Sequence, residues 1–127
     1  MSLLKALKEK QEVALIADIK LQSPRDGELI EAKKAPEFAK KAIESGADAL
    51  SVVTKKNHFN GSIELLEEIN DAVDASIIAK NFFKDTNTIL ETLEAGANSV
   101  LLIASILRKK KLKELQDFCQ ERDVEPV

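Results

Sequence analysis

Two short stretches of this sequence place ionisable groups directly behind apolar runs. One reads Ala17-Asp18-Ile19-Lys20 and the other Ile78-Ala79-Lys80-Asn81-Phe82. Side chains two apart on a strand project to the same side. Asp18 and Lys20 therefore share a face, and so do Lys80 and Phe82. An isolated Asp–Lys pair of this kind reads as a strand-end ion pair. Two lysines at the carboxyl ends of two strands of one sheet read differently. Such ammonium groups can hold an anionic substrate, and one of them can act as a general acid.

Other polar positions fall around these. Residues 21–27 form a long polar segment after the first apolar run, where an active-site loop belongs. Within it, Ser23 could donate to an anion or simply turn the chain ahead of Pro24. Segment 55–61 carries His58 and Phe59. A lone loop histidine reads as a bystander, whereas an aromatic in a polar loop usually contacts something. Arg108-Lys109-Lys110-Lys111 sits near the start of a helix, where cations oppose the helix dipole, and reads as a solvated face.

Composition excludes several chemistries. One cysteine and one histidine cannot build a zinc site alone, so no metal is expected. There is no G-x-x-x-x-G-K-[ST] and no G-x-G-x-x-G after a strand, so nucleotide binding has no motif behind it. A net charge of −3 argues against a nucleic-acid partner. A single cysteine fits a reducing compartment. No apolar run approaches bilayer length and no signal-peptide core is visible, so a cytoplasmic chain with no membrane partner is expected.

The elements that must position the lysines alternate in kind. Apolar runs at 13–19, 49–54, 76–79 and 98–104 read as strands buried on both faces. Between them lie amphipathic helices. Phe38, Ala39, Ala42 and Ile43 share one face of a helix starting near Pro36. Ile63, Leu66 and Ile69 mark a second, behind Ser62 as N-cap. Ile89, Leu90 and Leu93 mark a third, and Leu112, Leu115, Phe118 and Cys119 a fourth. A short helix over 3–10 precedes them, and residues 124–127 begin a fifth strand. Glu44-Ser45-Gly46-Ala47-Asp48-Ala49-Leu50 is echoed fifty residues later by Glu94-Ala95-Gly96-Ala97-Asn98-Ser99-Val100, so one helix-to-strand joint is used twice. The 127 residues form a single domain, 1–127, of α/β class with a parallel sheet and right-handed crossovers. An open flavodoxin-like sheet and part of a (β/α)8 barrel both fit, and in either the active groups gather at the carboxyl ends of the strands.

Five segments in register resemble the indole-3-glycerol-phosphate synthase family of tryptophan biosynthesis. They are Ile16-Ala17-Asp18-Ile19-Lys20 with Ser23-Pro24 and Gly27; Gly46-Ala47-Asp48-Ala49-Leu50-Ser51-Val52-Val53-Thr54; Phe59-Asn60-Gly61-Ser62; Ala79-Lys80-Asn81-Phe82; and Gly96-Ala97-Asn98-Ser99-Val100-Leu101-Leu102-Ile103. The resemblance implies the first half of a TIM barrel, a (βα)4 unit with a short N-terminal helix. It implies a lyase that closes the ring of 1-(2-carboxyphenylamino)-1-deoxyribulose 5-phosphate, then releases carbon dioxide and water, with no metal and no organic cofactor. Lys80 takes the place of the general acid and Lys20 that of the lysine holding the substrate anion. Asp18 stands where an acidic residue orients them, and Ser23 where a serine contacts the substrate. Phe59, Phe82 and Leu101 or Leu102 resemble the apolar walls around the anthranilate ring.

The departures matter as much. Asp18 is one methylene shorter than the family's usual glutamate, and Asn81 stands where an aspartate is usual. The family's general-base glutamate lies at the end of the fifth strand, and Glu125 is expected to precede that strand. A whole barrel takes roughly 250 residues. These 127 are therefore expected to hold a small anionic sugar-phosphate substrate weakly and to be inactive alone. They are expected to self-associate, or to bind a complementary C-terminal half-barrel, with the first and fourth strands at or near the contact. A catalytically inactive scaffold and a flavodoxin-like binding module are the competing readings.

Overall fold

A computed structural model describes residues 2–9 and 13–127. In chain order it contains α1 (Leu3–Lys8), β1 (Ile16–Ile19), β2 (Gln22–Ser23), β3 (Gly27–Glu28), α2 (Ala35–Glu44), β4 (Ala49–Val53), α3 (Ile63–Ala72), β5 (Ser76–Lys80), α4 (Thr86–Glu94), β6 (Ser99–Val100), α5 (Lys109–Gln120) and β7 (Glu125–Pro126). All the helices expected from periodicity are present. Lys10, expected at the end of the first of them, lies outside the described residues. The first strand begins at Ile16 rather than Val13, and the fourth apolar run pairs as a strand only over Ser99–Val100. The polar segment after β1 is not a plain loop. Its ends pair as the two-residue hairpin β2–β3, closed by Leu29 N–H donating to the Leu21 carbonyl at 2.7 Å.

The main sheet has five parallel strands in the order β1-β4-β5-β6-β7. Each strand thus lies beside the previous strand of the same sheet. A flavodoxin-like sheet would place the first strand between the second and third, so that reading is excluded. β7 pairs with the outer side of β6, so the sheet edges are β1, the expected first strand, and β7, the begun fifth strand, with the expected fourth strand, β6, one place in from that edge. Glu125 lies within β7 rather than ahead of it.

The two-residue period of the strands sorts their side chains into two layers. Ile19, Leu50, Val52, Ile77, Ala79 and Val100 face the helices and are fully buried against Ala39, Leu66, Ile69, Ile89 and Leu115. Burying each large aliphatic among them contributes about 1.5–3 kcal/mol. The opposite row carries Asp18, Ser51, Ile78, Ser99 and Glu125 in register, one from each strand. α1 packs on this inner side, with Leu3 and Leu7 against Ala49 and Ile78. Leu4 N–H donates to the Glu125 carboxylate at 2.7 Å, tying α1 to β7.

The repeated joint is built twice from the same bonds. α2 and α4 both end in a left-handed glycine, Gly46 at φ +112° and Gly96 at φ +117°. Gly46 N–H donates to Ile43 and Ala47 N–H to Ala42; Gly96 N–H donates to Leu93 and Ala97 N–H to Thr92. This is the Schellman ending that satisfies the last helix carbonyls. The next residue then clamps the neighbouring strand. The Asp48 side chain accepts from Leu15 N–H at 2.8 Å while its own N–H donates to the Leu15 carbonyl. Asn98 does the same to Ile77, accepting at 2.8 Å and donating at 2.9 Å. Asn98→Ala leaves the Ile77 N–H unpaired inside the sheet and is expected to cost about 1–3 kcal/mol in urea unfolding. Asn98→Asp, which copies the other joint, should retain most of that stability. A loss under about 0.5 kcal/mol in Asn98→Ala would show that the side-chain clamp contributes nothing.

Candidate functional site at the strand ends

Asp18 on β1 faces the barrel interior beside Ser51 on β4, because the two are register partners. The Ser51 hydroxyl donates to Asp18 Oδ1 at 2.5 Å and fixes the carboxylate. The same oxygen accepts from Lys80 Nζ at 3.3 Å, while Asp18 Oδ2 lies 4.0 Å from Lys20 Nζ. One carboxylate thus holds two ammonium groups, one next to β1 and one at the end of β5. The three side chains are 33–38% exposed. Ion pairs this wet contribute at most about 1 kcal/mol. Their effect is to set where the charges stand.

The two lysines open into a cavity of about 170 Å³. Phe59, Phe82 and Leu101, all expected as walls, line it. So do Val53, Lys55, Asn81 and Ile103, which sequence reading did not assign. A dry cavity of about 150 Å³ accommodates a benzene ring; this one suits a single aromatic ring. Leu101 and Ile103 share one side of the chain, and Leu102 between them is buried in the helix-facing core, outside the cavity wall. Ser23 is buried in the hairpin, where its hydroxyl donates to the Asp26 carboxylate at 3.2 Å and accepts from Asp26 N–H at 3.0 Å. The structure therefore engages Ser23 in a turn and does not bring it to the cavity lining.

Phe59 is presented by a tight loop. Gly61 N–H donates to the Lys55 carbonyl and Asn60 N–H to that of Lys56, both at 2.8 Å. His58 and Asn60 adopt left-handed backbone angles, φ +69° and +54°. His58 is exposed, and its carbonyl accepts a long bond of 3.4 Å from Gln22 Nε2. The loop closes onto β4 so closely that a Cβ at Gly61 would stand within 2.8 Å of the Thr54 backbone. Ser62 then caps α3 through Leu65 N–H at 3.0 Å.

Elsewhere the structure offers less chemistry. A shallower cleft of about 790 Å³ between Leu29 and Phe38 shares no lining residue with the strand-end cavity, and Lys34 and Glu31 on its rim pair with each other at 3.7 Å. In the basic run at the start of α5, Lys111 pairs with Glu114 at 3.4 Å, as a solvated face does. Cys119 is buried in the core, and that burial pushes its thiol above the usual range. Among the described residues no cluster of three His, Cys, Asp or Glu could hold a metal ion. No helix among them is long and apolar enough to cross a membrane.

The family model for indole-3-glycerol phosphate synthase matches residues 1–127. The chain belongs to the indole-3-glycerol phosphate synthase family. It is 37% identical over 122 residues to that synthase from Aliarcobacter butzleri, covering 96% of this chain and 46% of the relative. Against the synthase of Nautilia profundicola it is 40% identical over 111 residues, covering 87% and 43%. Against that of Thermococcus kodakarensis it is 31% identical over 123 residues, covering 97% and 54%. The chain thus spans about half the length of the synthases it matches. Its fold is also that of N-acetylneuraminate lyase from Mycoplasma synoviae, with a TM-score of 0.65 at 22% identity over 98% of this chain and 40% of that one. Dihydropteroate synthase from Thermus thermophilus gives 0.65 at 17% identity over 92% and 40%. These likenesses establish the architecture, part of a TIM barrel, and nothing about chemistry. Within that architecture Gly61 is the residue on which the Phe59 wall depends. Gly61→Ala drives a methyl group into backbone that cannot swing aside, and is expected to cost about 3 kcal/mol or more in urea unfolding. A loss under about 1 kcal/mol would mean that the loop does not lie against β4.

Proposed function

We propose that the strand-end cavity is the first half of an indole-3-glycerol-phosphate synthase site. The substrate is 1-(2-carboxyphenylamino)-1-deoxyribulose 5-phosphate, which loses carbon dioxide and water as the ring closes. In this reading Lys80 is the general acid, donating a proton to the ribulose oxygen where negative charge develops. Lys20 holds the substrate anion. Asp18 is a positioning residue that acts through both lysines, itself held by Ser51. Phe59, Phe82 and Leu101 wall the anthranilate ring. Ser23 enters as the residue that folds the hairpin after Lys20, and Leu102 as the core residue that seats its two neighbours. The observation that carries the reading is the convergence of Lys80, Asp18 and Lys20 within 4.0 Å at a ring-sized apolar cavity, in a chain of this family.

The same reading names what residues 1–127 do not themselves supply. A base must face the acid, and Asp18 is engaged by two ammonium groups. Glu125, on the same inner row, is bonded to the Leu4 N–H. The partner that completes the barrel would add strands at the β1 and β7 edges, where Leu15 and Val127 are more than half exposed. The chain exposes 7886 Å², whereas a compact monomer of its mass exposes about 6,700 Å². Without that partner, copies of the chain are expected to associate through these edges. Sedimentation at high micromolar concentration should show a dimer or larger species with concentration-dependent melting. A monomer with concentration-independent melting contradicts this.

Residues 1–127 assayed by themselves are expected to give no detectable turnover in an indole-glycerol-phosphate fluorescence assay, since a lone general acid contributes only about 10²–10⁴-fold. A separately produced polypeptide carrying strands five to eight of a family member should restore it. Lys80→Ala should then abolish turnover without loss of fold. Robust turnover by the chain alone, or retained activity in the reconstituted Lys80→Ala barrel, would contradict the assignment.

A further inference from the structure

The cavity holds a third ammonium group that the proposed chemistry does not use. Lys55 lies two residues past Val53, and both line the cavity together with Lys20 and Lys80. Its Nζ stands 4.9 Å from the centroid of the Phe82 ring. That is inside the roughly 6 Å range of a cation–π contact, which steadies a long side chain over the aromatic wall. Lys20 and Lys80 share the Asp18 carboxylate, at 4.0 and 3.3 Å. Lys55 has no such partner: among the described residues it makes no ion pair, and only the Phe82 face offsets its charge. Three ammonium groups and one carboxylate therefore meet at one small cavity.

The imbalance has a direction. The walls supplied by Phe59, Phe82 and Leu101 accept an aromatic ring. A ring lying against Phe82 brings its own substituents next to the Lys55 ammonium. We propose that Lys55 is a specificity residue of this site, holding a carboxylate carried on the aromatic ring of the ligand and leaving Lys20 for a second anionic group. This rests on the reading of the cavity as an anionic aromatic site. A carboxylate replaces the weak quadrupole of Phe82 with a full negative charge, so a ring acid gains a contact that a neutral ring does not. Discrimination then comes from the charge of the substituent rather than from the size of the ring.

The test is a titration of the isotopically labelled chain followed by ¹H–¹⁵N correlation spectra at low ionic strength. Anthranilate and anthranilamide have the same ring and differ in the carboxylate. Anthranilate is expected to shift resonances of the cavity residues. Lys55→Gln should weaken anthranilate about tenfold while leaving anthranilamide within about twofold. Lys55→Met, which keeps an apolar stem, should behave likewise, and Lys55→Arg should restore most of the affinity. The spectra report at the same time that each variant is folded. Equal weakening of both ligands makes Lys55 merely a wall and overturns the proposal. So does unchanged anthranilate affinity in Lys55→Gln, which leaves the reading of the cavity standing. Failure of the unmodified chain to bind anthranilate overturns both.

Discussion

The Asp18 carboxylate stands between two ammonium groups brought in from different strands, and the strand-end site depends on its staying there. Without it, Lys20 and Lys80 would converge on one small cavity as like charges. With it, one repulsion becomes two attractions, at 4.0 and 3.3 Å. The energy is modest because all three groups meet water. The consequence is geometric. Ser51 removes a further freedom by donating to the oxygen that also faces Lys80. An aspartate is short, so its reach to both lysines depends on the spacing and register of β1, β4 and β5.

That register comes from the other side of the sheet. Residues of opposite parity on the same strands pack under the helices, and a slip of one residue would exchange the two layers. Leu50, Val52, Ile77 and Ala79 are fully buried, so their packing holds Ser51 and Lys80 on the inner row. The paired joints at Gly46–Asp48 and Gly96–Asn98 act at the opposite end of the strands. Each closes a helix and starts a strand beside its neighbour within three residues. The charged cluster is therefore positioned by apolar packing and by two backbone clamps, neither of which touches it.

Much of this is legible in the sequence because strands and helices have fixed periods. Asp18 and Lys20, two apart, must share a side, and an apolar run before Lys80 must deliver it to a strand end. Phe59, Phe82 and Leu101 were identifiable as walls through family likeness. What escaped lies where periodicity stops. The hairpin β2–β3 has strands of two residues each, too short for any pattern, and it engages Ser23 with Asp26. Leu101 and Leu102 are alike in chemistry, and only their parity on the emerging strand separates cavity from core. Ser51 carried a signal that could have been read: a serine in the middle of an apolar strand needs a partner on the inner row. Lys55 carried none, since a lysine in a polar loop has no periodic constraint and its place over Phe82 is a tertiary fact.

The most direct measurement of the central claim is a ¹⁵N correlation spectrum selective for lysine ammonium groups, recorded on the unmodified chain and on Asp18→Asn. If the Asp18 carboxylate organises the site, the Lys20 and Lys80 ammonium signals should both shift in the variant, while that of Lys55 stays in place. Lys20 and Lys80 signals that do not respond to Asp18→Asn would contradict the account.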